Sequence, residues 1–294
     1  MADFTDRRVE GVISPADGVG NGLDNNNNNT RGENCKKATS IGSASSSDSP
    51  SSSASMSSSS SPSSVTKNNN IVTVTFVRHG ETDYNRAGRL QGHLDIALND
   101  RGVAQAEKVA RALEARHQHF DAVLSSSLMR AKQTAEIILE FHPNIVPLIS
   151  LNELREHHVG TLQGKLVRDK EPKKVRKAMM REWKCENKFA GFPKDNEGNG
   201  ESPHDVIARA LPALENELAL HEGWNSVLVA THGGLIKHIM WELLGSYQRL
   251  EDEMKKAHGV RNCCLSTLQY NRKLKSWSIK ALFEDIVESP ASQY

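Results

Sequence analysis

This sequence has few aromatic residues, no cysteine motif typical of a metal site and almost no net charge. Aromatic residues make up only 5% of the 294 residues, and 37 lysines and arginines nearly balance 36 acidic residues. The formal net charge of +1 gives no general attraction to nucleic acid or to a membrane surface. No run is apolar enough to span a bilayer, and the first residues lack the apolar core of a secretory signal. Neither nucleic acid nor a membrane is therefore expected as a partner.

The four cysteines have no spacing typical of a zinc site. They are Cys35, Cys185, Cys263 and Cys264. Adjacent cysteines such as Cys263 and Cys264 rarely bond to each other, and these two lie in a strand-like run. We interpret all four as reduced, small apolar residues of a cytoplasmic protein, and we expect no metal site.

The N-terminal quarter of the chain is of low complexity. It contains an asparagine run at Asn25–Asn29 and a serine-rich segment at Ser43–Ser64. Such a segment has too little apolar surface to offset the entropy lost on ordering. We predict a disordered tail over residues 1–70 and a folded domain over 71–290. The tail is interpreted as a solvated segment without an essential role, with partner binding or phosphorylation as the alternative.

The folded part begins with an apolar, largely β-branched run, Ile71–Val77, which predicts a buried strand. The run stops abruptly at Arg78, His79 and Gly80. Ligands of open α/β sheets bind at the carboxyl ends of strands, so this strand end places a nucleophile and a cation where an anion can dock. Gly80 allows the backbone to turn closely around a ligand.

Strand-like and helical patterns alternate along the rest of the domain. This alternation predicts a three-layer α/β sandwich with a mostly parallel sheet flanked by helices, to which a closing hairpin adds an antiparallel pair at one side. Further strands are predicted at 120–124, 145–148, 225–230, 262–270 and 275–283, and helices at 101–115, 128–141, 165–188, 203–220 and from 233 to about 245. The helix at 165–188 is strongly basic.

A second strand end also carries a histidine followed by glycine, in Thr231-His232-Gly233-Gly234. Arg130 follows the strand at 120–124 by a few residues, and Glu153 and Glu156 follow the strand at 145–148. Four strand ends therefore bring two histidines, at least two arginines and a carboxyl group to one edge of the predicted sheet.

These segments together resemble one known family. The chain from Ile71 to about Phe283 is similar to the histidine phosphatases of the phosphoglycerate-mutase-like superfamily. Five segments carry the resemblance, in the order found in the family. They are Arg-His-Gly-Glu-Thr at 78–82, Ser-Ser-Leu-Met-Arg-Ala-Lys-Gln-Thr-Ala at 126–135, Leu-Arg-Glu at 154–156 with Gly160 following, Gly-Glu-Ser at 200–202 and Thr-His-Gly-Gly at 231–234.

The resemblance implies a role for each of five residues. His79 is the nucleophile that takes up the phosphoryl group as a phosphohistidine. Arg78, Arg130 and His232 hold the equatorial oxygens, and Glu156 is the general acid for the leaving oxygen. The chemistry suits these side chains, because phosphoryl transfer depends on positioning and on cationic stabilisation of the peripheral oxygens. No metal and no cofactor is implied.

The resemblance also distinguishes Glu156 from its neighbour Glu153. The family places its acid four residues before the glycine of this loop, which selects Glu156 and leaves Glu153 solvated or paired with a cation. Residues at matching loop positions line the phosphate site in relatives, and here they are Asn85, Gln91 and Gly92. The helix that starts at Gly233 and Gly234 is expected to point backbone N–H groups at the same anion. The family commonly has an aromatic residue near Val159, which this chain lacks.

Three functions are compatible with these residues. A phosphomonoester phosphatase acting on a small phosphorylated metabolite is favoured. A bisphosphate-dependent phosphoglycerate mutase is the first alternative, but the arginine pair and lysine of the mutases are not clearly reproduced in the stretch 165–200. That basic insertion is interpreted either as a lid that favours polyanionic substrates or as a solvated helix face. A non-catalytic phosphate-binding or scaffold protein is the second alternative, and the oligomeric state is left open.

Overall fold

A six-stranded sheet runs through the centre of the computed structural model, which describes residues 70–286. The strands are β1 (Ile71–Arg78), β2 (Ala122–Ser126), β3 (Leu148–Leu151), β4 (Ser226–Thr231), β5 (Leu265–Asn271) and β6 (Ser276–Glu284). The predicted tail, its boundary at residue 70, Cys35 and the end of the chain beyond residue 286 lie outside the described residues.

The strand order is β3-β2-β4-β1-β5-β6. The pairs β2–β3, β2–β4 and β1–β4 are parallel, whereas β5 runs antiparallel to both β1 and β6. The prediction of a mostly parallel sheet with an antiparallel pair at one side is confirmed. The carboxyl ends of the four parallel strands β1 to β4 consequently meet at one edge.

Seven helices lie along this part of the chain. They are α1 (Asp83–Ala87), α2 (Asp100–Ala115), α3 (Met129–Glu140), α4 (Lys170–Lys184), α5 (Pro203–Leu220), α6 (Gly233–Leu244) and α7 (Tyr247–Lys256). Two of them begin at side-chain caps, since Asn99 accepts from the backbone of Gly102 and Ser202 forms a capping box with Asp205. None of these helices is long and apolar enough to cross a membrane.

The main errors of the sequence prediction concern short or highly charged elements. The strand predicted at 145–148 is wrong in position, because β3 covers Leu148–Leu151 and Ile145 is fully exposed. Pro147 has no N–H to donate to a strand ladder, which favours a start after it. Two helices are not predicted from the sequence: α1, which has five residues, and α7, where charged side chains outnumber the few apolar ones.

Two apolar layers cover the two faces of the sheet. Along β4, Val227 and Val229 pack on one side with α5 and α6, while Leu228 and Ala230 pack on the other side with α2 and α3. A strand that is apolar on both faces is typical of the middle of a three-layer α/β fold. The polar residues that follow β1 and β4 therefore lie near the centre of the sheet edge formed by the carboxyl ends of the parallel strands.

Two of the three described cysteines are buried in the manner of small apolar residues. Cys263 and Cys264 are buried, Cys185 is exposed, and none of the three forms a disulfide. Burial raises the pKa of Cys263 to about 12 and that of Cys264 to about 11. Both buried thiols are therefore protonated at neutral pH and are poor nucleophiles.

Candidate active site

The parallel register of β1 and β4 brings the two strand-end histidines together. Arg78 pairs with Thr231, so His79 and His232 follow directly on neighbouring strands. Their ring centroids are 5.2 Å apart with planes inclined at 57°, and both rings are buried. Two imidazoles that are 153 positions apart in the chain thus lie side by side at this edge of the sheet.

The geometry of His79 leaves one ring nitrogen free. Its Nδ1 lies 2.6 Å from the carbonyl oxygen of Gly80, and because a carbonyl only accepts, Nδ1 carries the proton. Burial, together with the charges of Arg130 and Arg78, holds the pKa of His79 well below its usual value. The unprotonated Nε2 of a neutral imidazole is a competent nucleophile. Gly80 is required here, because a Cβ atom would lie 2.4 Å from the backbone oxygen of Gly102.

Arg130 and His232 are hydrogen-bonded to each other next to His79. The Nε–H of Arg130 donates to Nδ1 of His232 (3.2 Å), so the proton of His232 lies on Nε2 and is donated to Ser126 Oγ (2.8 Å). The other Arg130 nitrogens donate to the carbonyl oxygens of Leu94 and Gly92. Burial lowers the pKa of Arg130 to about 10, so this arginine remains a cation at neutral pH.

Arg78 has a hydrogen-bond donor that no protein group satisfies. Its Nη1 donates to the carbonyl oxygen of Val260, while its buried Nε has no hydrogen-bond partner. A Cβ atom on Gly233 would lie 3.2 Å from that Nε, so the glycine lets the guanidinium pack against the start of α6. An unpaired, buried N–H on a cation is costly, and an anion in the cavity can satisfy it.

The carboxylate of Glu156 occupies the N-terminus of α6. Its Oε1 accepts from the backbone N–H groups of His157 (2.9 Å) and Leu235 (3.0 Å), and its Oε2 accepts from that of Gly234 (3.1 Å). The expectation that the N–H groups after Gly233 point at a bound anion needs correction, because two of them donate to Glu156. Gly234 permits this approach, since a Cβ atom there would lie 2.4 Å from Oε1 of Glu156.

The protonation of Glu156 is set by opposing effects. Burial raises the pKa of this carboxyl group, but the N–H donors of His157 and Gly234, followed by the charges of Arg130 and Lys237, bring it below its usual value. Glu156 is therefore ionised at neutral pH when no anion is bound. Glu153, three residues earlier, is exposed and does not line the cavity.

The loop of Glu156 is held by residues for which no role was predicted from the sequence. His93 Nε2 and Arg209 Nη2 both donate to the carbonyl oxygen of Glu156, at 2.7 and 2.9 Å. Glu201 accepts from Arg209 Nε (2.7 Å) and from the backbone N–H of His158 (2.8 Å). The Gly-Glu-Ser segment quoted from the sequence thus contributes a carboxylate that fixes the neighbouring loop.

A cavity of about 340 Å³ opens at this edge of the sheet. Seven of the residues predicted from the sequence line it together with Gly234: Arg78, His79, Asn85, Gln91, Gly92, Arg130 and Glu156. His232 and Gly233 do not line the cavity and lie behind its wall. Gln91 is buried and its Oε1 has no hydrogen-bond partner, so this side chain is poised for a ligand.

The other half of the cavity is mainly apolar. The basic insertion supplies one side of it through α4 and the following loop, and α7 supplies another. The lining residues are Met180, Trp183 and Phe192 from the insertion and Tyr247, Leu250 and Met254 from α7. Trp183 and Phe192, with ring centroids 6.2 Å apart, supply aromatic surface near Val159, where the family commonly has an aromatic residue.

Sequence reasoning missed several polar residues of the cavity. Arg89, Arg176, Lys237 and His238 all line it. Lys237 and His238 follow Gly234 by three and four positions, so helical spacing alone places them on the same face of α6. Arg176 belongs to a helix whose orientation the sequence does not give. Within residues 70–286, no group of three or more histidine, cysteine or acidic side chains is placed to hold a metal ion.

A neutral histidine, two arginines and a carboxyl group around one cavity at a parallel strand edge define a site suited to phosphoryl transfer. Residues 74–284 match the family model of the histidine phosphatase superfamily, branch 1. The match covers most of the chain, and the chain belongs to this superfamily. The resemblance and the fold class predicted from the sequence are thereby confirmed.

Curated relatives and solved structures agree with this assignment. A broad-specificity phosphatase of Saccharomyces cerevisiae is 30% identical over 72% of this chain and 86% of its own length. A metal-independent phosphoserine phosphatase of Arabidopsis thaliana is 36% identical over 60% of this chain and 70% of its own length. A mycobacterial glucosyl-3-phosphoglycerate phosphatase, solved with VO3, has a TM-score of 0.59 and 28% identity over 73% of this chain and 100% of its own. Phosphoglycerate mutases also match the chain.

Proposed function

We propose that this protein is a phosphomonoester phosphatase that acts on a small phosphorylated metabolite through a phosphohistidine at His79. The observation that carries the proposal is the free Nε2 of a neutral His79 in a cavity lined by Arg78 and Arg130. The names of the yeast and plant relatives support hydrolysis of phosphomonoesters. A cavity of about 340 Å³ is near the lower end of the range for small-molecule sites, which favours a metabolite over a folded protein substrate.

In the first step, Nε2 of His79 attacks phosphorus and the bond from phosphorus to the leaving oxygen breaks. Arg78 and Arg130 hold the peripheral oxygens, and His232, whose Nδ1 accepts from Arg130 Nε, orients that guanidinium. Protonated Glu156 gives its proton to the departing oxygen, so that an alcohol leaves. The arginines provide the cationic stabilisation on which phosphoryl transfer depends.

Glu156 takes up its proton from solvent as the substrate binds. The carboxyl group is ionised in the empty site, and a phosphoryl dianion beside it raises its pKa because like charges disfavour the ionised form. In the second step, the Glu156 carboxylate takes a proton from water as the water oxygen attacks phosphorus. The bond from phosphorus to Nε2 breaks, inorganic phosphate leaves and neutral His79 is restored.

The two alternative functions are less well supported by the geometry. α4 contributes one arginine to the cavity, Arg176, where the resemblance implies an arginine pair and a lysine for a mutase. A non-catalytic scaffold does not require a free imidazole nitrogen beside a carboxyl group, yet His79 and Glu156 line the same cavity. Hydrolysis is accordingly the function that the site supports best.

The decisive experiment is to trap the intermediate. The protein is mixed with a phosphomonoester labelled with ³²P, quenched rapidly and tested for an acid-labile, base-stable adduct, with release of labelled phosphate followed in parallel. We expect the adduct in the unchanged protein and in the control variant His119→Ala, whose side chain is exposed and outside the cavity. His79→Ala should form none. Absence of both adduct and phosphate release with every phosphomonoester tried would contradict the proposal.

Label transfer from a bisphosphate to a monophosphate acceptor separates a mutase from a phosphatase. With labelled 2,3-bisphosphoglycerate and unlabelled 3-phosphoglycerate, a phosphatase passes the label from His79 to water and yields inorganic phosphate. A mutase passes it mainly to the organic acceptor. Predominant transfer to the acceptor would therefore establish the first alternative.

A further inference from the structure

Two buried histidines, His157 and His238, lie side by side in the wall of the cavity. Both line it, and their ring centroids are 4.7 Å apart. Nε2 of His238 lies 2.9 Å from Nδ1 of His157, and Nε2 of His157 lies 2.7 Å from the carbonyl oxygen of Glu201. No step of the proposed mechanism uses either ring.

The protonation of this pair follows from its hydrogen bonds. Burial holds the pKa of His157 below its usual value and that of His238 well below it, so both rings are neutral at pH 7. A carbonyl oxygen only accepts, so the proton of His157 lies on Nε2 and its Nδ1 is an acceptor. Nε2 of His238 must then carry the proton of that ring, which leaves Nδ1 of His238 with a lone pair.

Nδ1 of His238 is a buried hydrogen-bond acceptor without a donor. The residue is 4% exposed, and no group among residues 70–286 donates to this nitrogen. A buried acceptor that is left unpaired is costly, so most such atoms in folded proteins have a partner. Because His238 lines the cavity, a bound ligand can supply the missing donor.

The surroundings of His238 favour a neutral donor over a charged one. Lys237 and Arg209 are close enough for their positive charges to lower the pKa of His238 further. The same charges repel an ammonium group, whereas a hydroxyl group carries no charge and is not repelled. The ring of Trp183, with its centroid 5.4 Å from that of His238, offers apolar surface to the carbon atoms beside such a hydroxyl group.

We propose that His238 is a specificity-determining residue whose Nδ1 accepts a hydrogen bond from a hydroxyl group of the leaving group. The inference rests on the proposed function and adds to it the class of substrate, namely phosphomonoesters of alcohols that carry at least one further hydroxyl group. The phosphoryl group then lies at His79, and the leaving group extends into the apolar half of the cavity, where it meets Trp183 and His238.

The test compares aryl phosphates that differ in one substituent. The donor is present in 3-(hydroxymethyl)phenyl phosphate and absent from 3-ethylphenyl phosphate, which has the same shape, while 3-(aminomethyl)phenyl phosphate presents an ammonium group. The same three esters substituted at ring position 4 place the group farther from phosphorus, and the larger of the two ratios is used. We expect kcat/KM for the hydroxymethyl ester to exceed that for the ethyl ester about three- to ten-fold, the range of one neutral hydrogen bond. The aminomethyl ester should be slower than the hydroxymethyl ester.

Two substitutions of His238 separate its acceptor from its structural hydrogen bond. In His238→Gln the amide can still donate to Nδ1 of His157, but no acceptor remains at the position of Nδ1, so the ratio of hydroxymethyl to ethyl ester should fall at least about three-fold. In His238→Asn the shorter amide brings its oxygen to the position of Nδ1 and loses the bond to His157, so the ratio should be retained. The control His119→Gln, exposed and outside the cavity, should behave as the unchanged protein.

Three outcomes would overturn the assignment. One is the same ratio in His238→Gln as in the unchanged protein, which would mean that only water meets this nitrogen. Another is a ratio lost in His238→Asn and kept in His238→Gln, which would reduce the histidine to a structural role. The third is faster hydrolysis of the aminomethyl than of the hydroxymethyl ester, which would assign a charged donor.

Failure of the proposed function itself is distinguishable from failure of this assignment. In that case none of the esters is hydrolysed and no adduct forms at His79. The ratio of the Kd values of the hydroxymethyl and ethyl esters, measured by calorimetry in the unchanged protein and in His238→Gln, then tests His238 alone.

Discussion

Burial acts on the two central titratable residues with different results. His79 has no partner that favours its charged form apart from one carbonyl, so it stays neutral and keeps a lone pair for nucleophilic attack. Glu156 is surrounded by N–H donors, so it stays ionised despite burial. The empty site therefore contains an active nucleophile and an inactive acid. A bound phosphoryl dianion raises the pKa of Glu156, so this carboxyl group takes up a proton when the substrate binds.

Replacing Glu156 should affect substrates according to their leaving group. In Glu156→Gln, the rate of phosphoenzyme formation from an alkyl phosphate should fall about 10²- to 10⁴-fold, the usual contribution of a general acid. p-Nitrophenyl phosphate should lose much less, because nitrophenolate leaves without being protonated. Single-turnover release of the alcohol or phenol measures this step separately from hydrolysis of the phosphoenzyme.

The matched control is Glu153→Gln on the same loop, whose side chain is exposed. It should leave the rates of both substrates unchanged. Glu156→Gln should also lower the free energy of unfolding by about 1–3 kcal/mol, because the new amide N–H₂ faces backbone N–H donors. An equal loss of rate on both substrates would show that Glu156 positions the phosphoryl group and is not the proton donor.

Helix α6 shows how one element serves several parts of the site. Gly233 allows Arg78 to approach, Gly234 allows Glu156 to approach, and Lys237 and His238 line the cavity one turn later. The sequence predicts where this helix begins, because glycines follow a strong apolar strand. It does not predict which anion its N–H groups bind, since a carboxylate from the protein and a phosphate satisfy them equally well.

Adding a methyl group at the start of α6 should disturb the acid. In Gly234→Ala the new Cβ would lie 2.4 Å from Glu156 Oε1 and 3.1 Å from its Cδ, so the carboxyl group must move. Helix propensity alone favours alanine over glycine by up to about 1 kcal/mol, so a loss of activity cannot come from a weaker helix. We expect kcat/KM for an alkyl phosphate to fall at least about ten-fold.

Gly223→Ala is the control for this change. A Cβ atom there meets nothing within 4 Å, and the residue lies in an exposed turn. Its kcat/KM should equal that of the unchanged protein. If Gly234→Ala were as active as Gly223→Ala, the position of Glu156 on the helix N-terminus would have no part in catalysis.

The helices around the apolar half of the cavity were only partly predictable. A basic helix is predicted at 165–188, and α4 is found within it, at Lys170–Lys184. Its position depends on contacts with α7 that have no sequence signal, such as the ion pair of Lys184 with Glu251 (3.0 Å). Both interpretations of the basic insertion, as a lid or as a solvated helix face, apply in part to α4. One side of this helix lines the cavity and the other is exposed.

At the scale of the whole molecule, the order of the strands in the sheet determines which side chains meet at the active site. The pattern of apolar residues predicts which segments form strands, but the placement of β4 between β2 and β1 follows from packing across the whole domain. Only that order sets His79 beside His232 and brings Arg130 within hydrogen-bond distance of His232. The sequence therefore predicts which side chains reach the edge, and the structure adds which of them touch.

The same packing buries several histidines in neutral form, and this makes the stability of the molecule depend on pH. His79, His232 and His238 all have pKa values held well below the usual range, with burial as the main cause. Below about pH 6.5 the unfolded chain binds protons at these residues and the folded protein does not, so stability rises with pH and is lost as the pH falls. Each such histidine contributes about 1.4 kcal/mol per pH unit in that window.

The free energy of unfolding in urea, measured between pH 7 and pH 5, should therefore decline below about pH 6.5, by up to about 4 kcal/mol per pH unit for the three residues. His238→Gln should reduce this slope by about 1.4 kcal/mol per pH unit, because a glutamine can still donate to Nδ1 of His157 but does not titrate. The control His119→Gln removes an exposed histidine and should leave the slope unchanged. A slope that is the same in His238→Gln and in the unchanged protein would mean that this histidine is protonated in the folded state, and that its pair with His157 carries a charge.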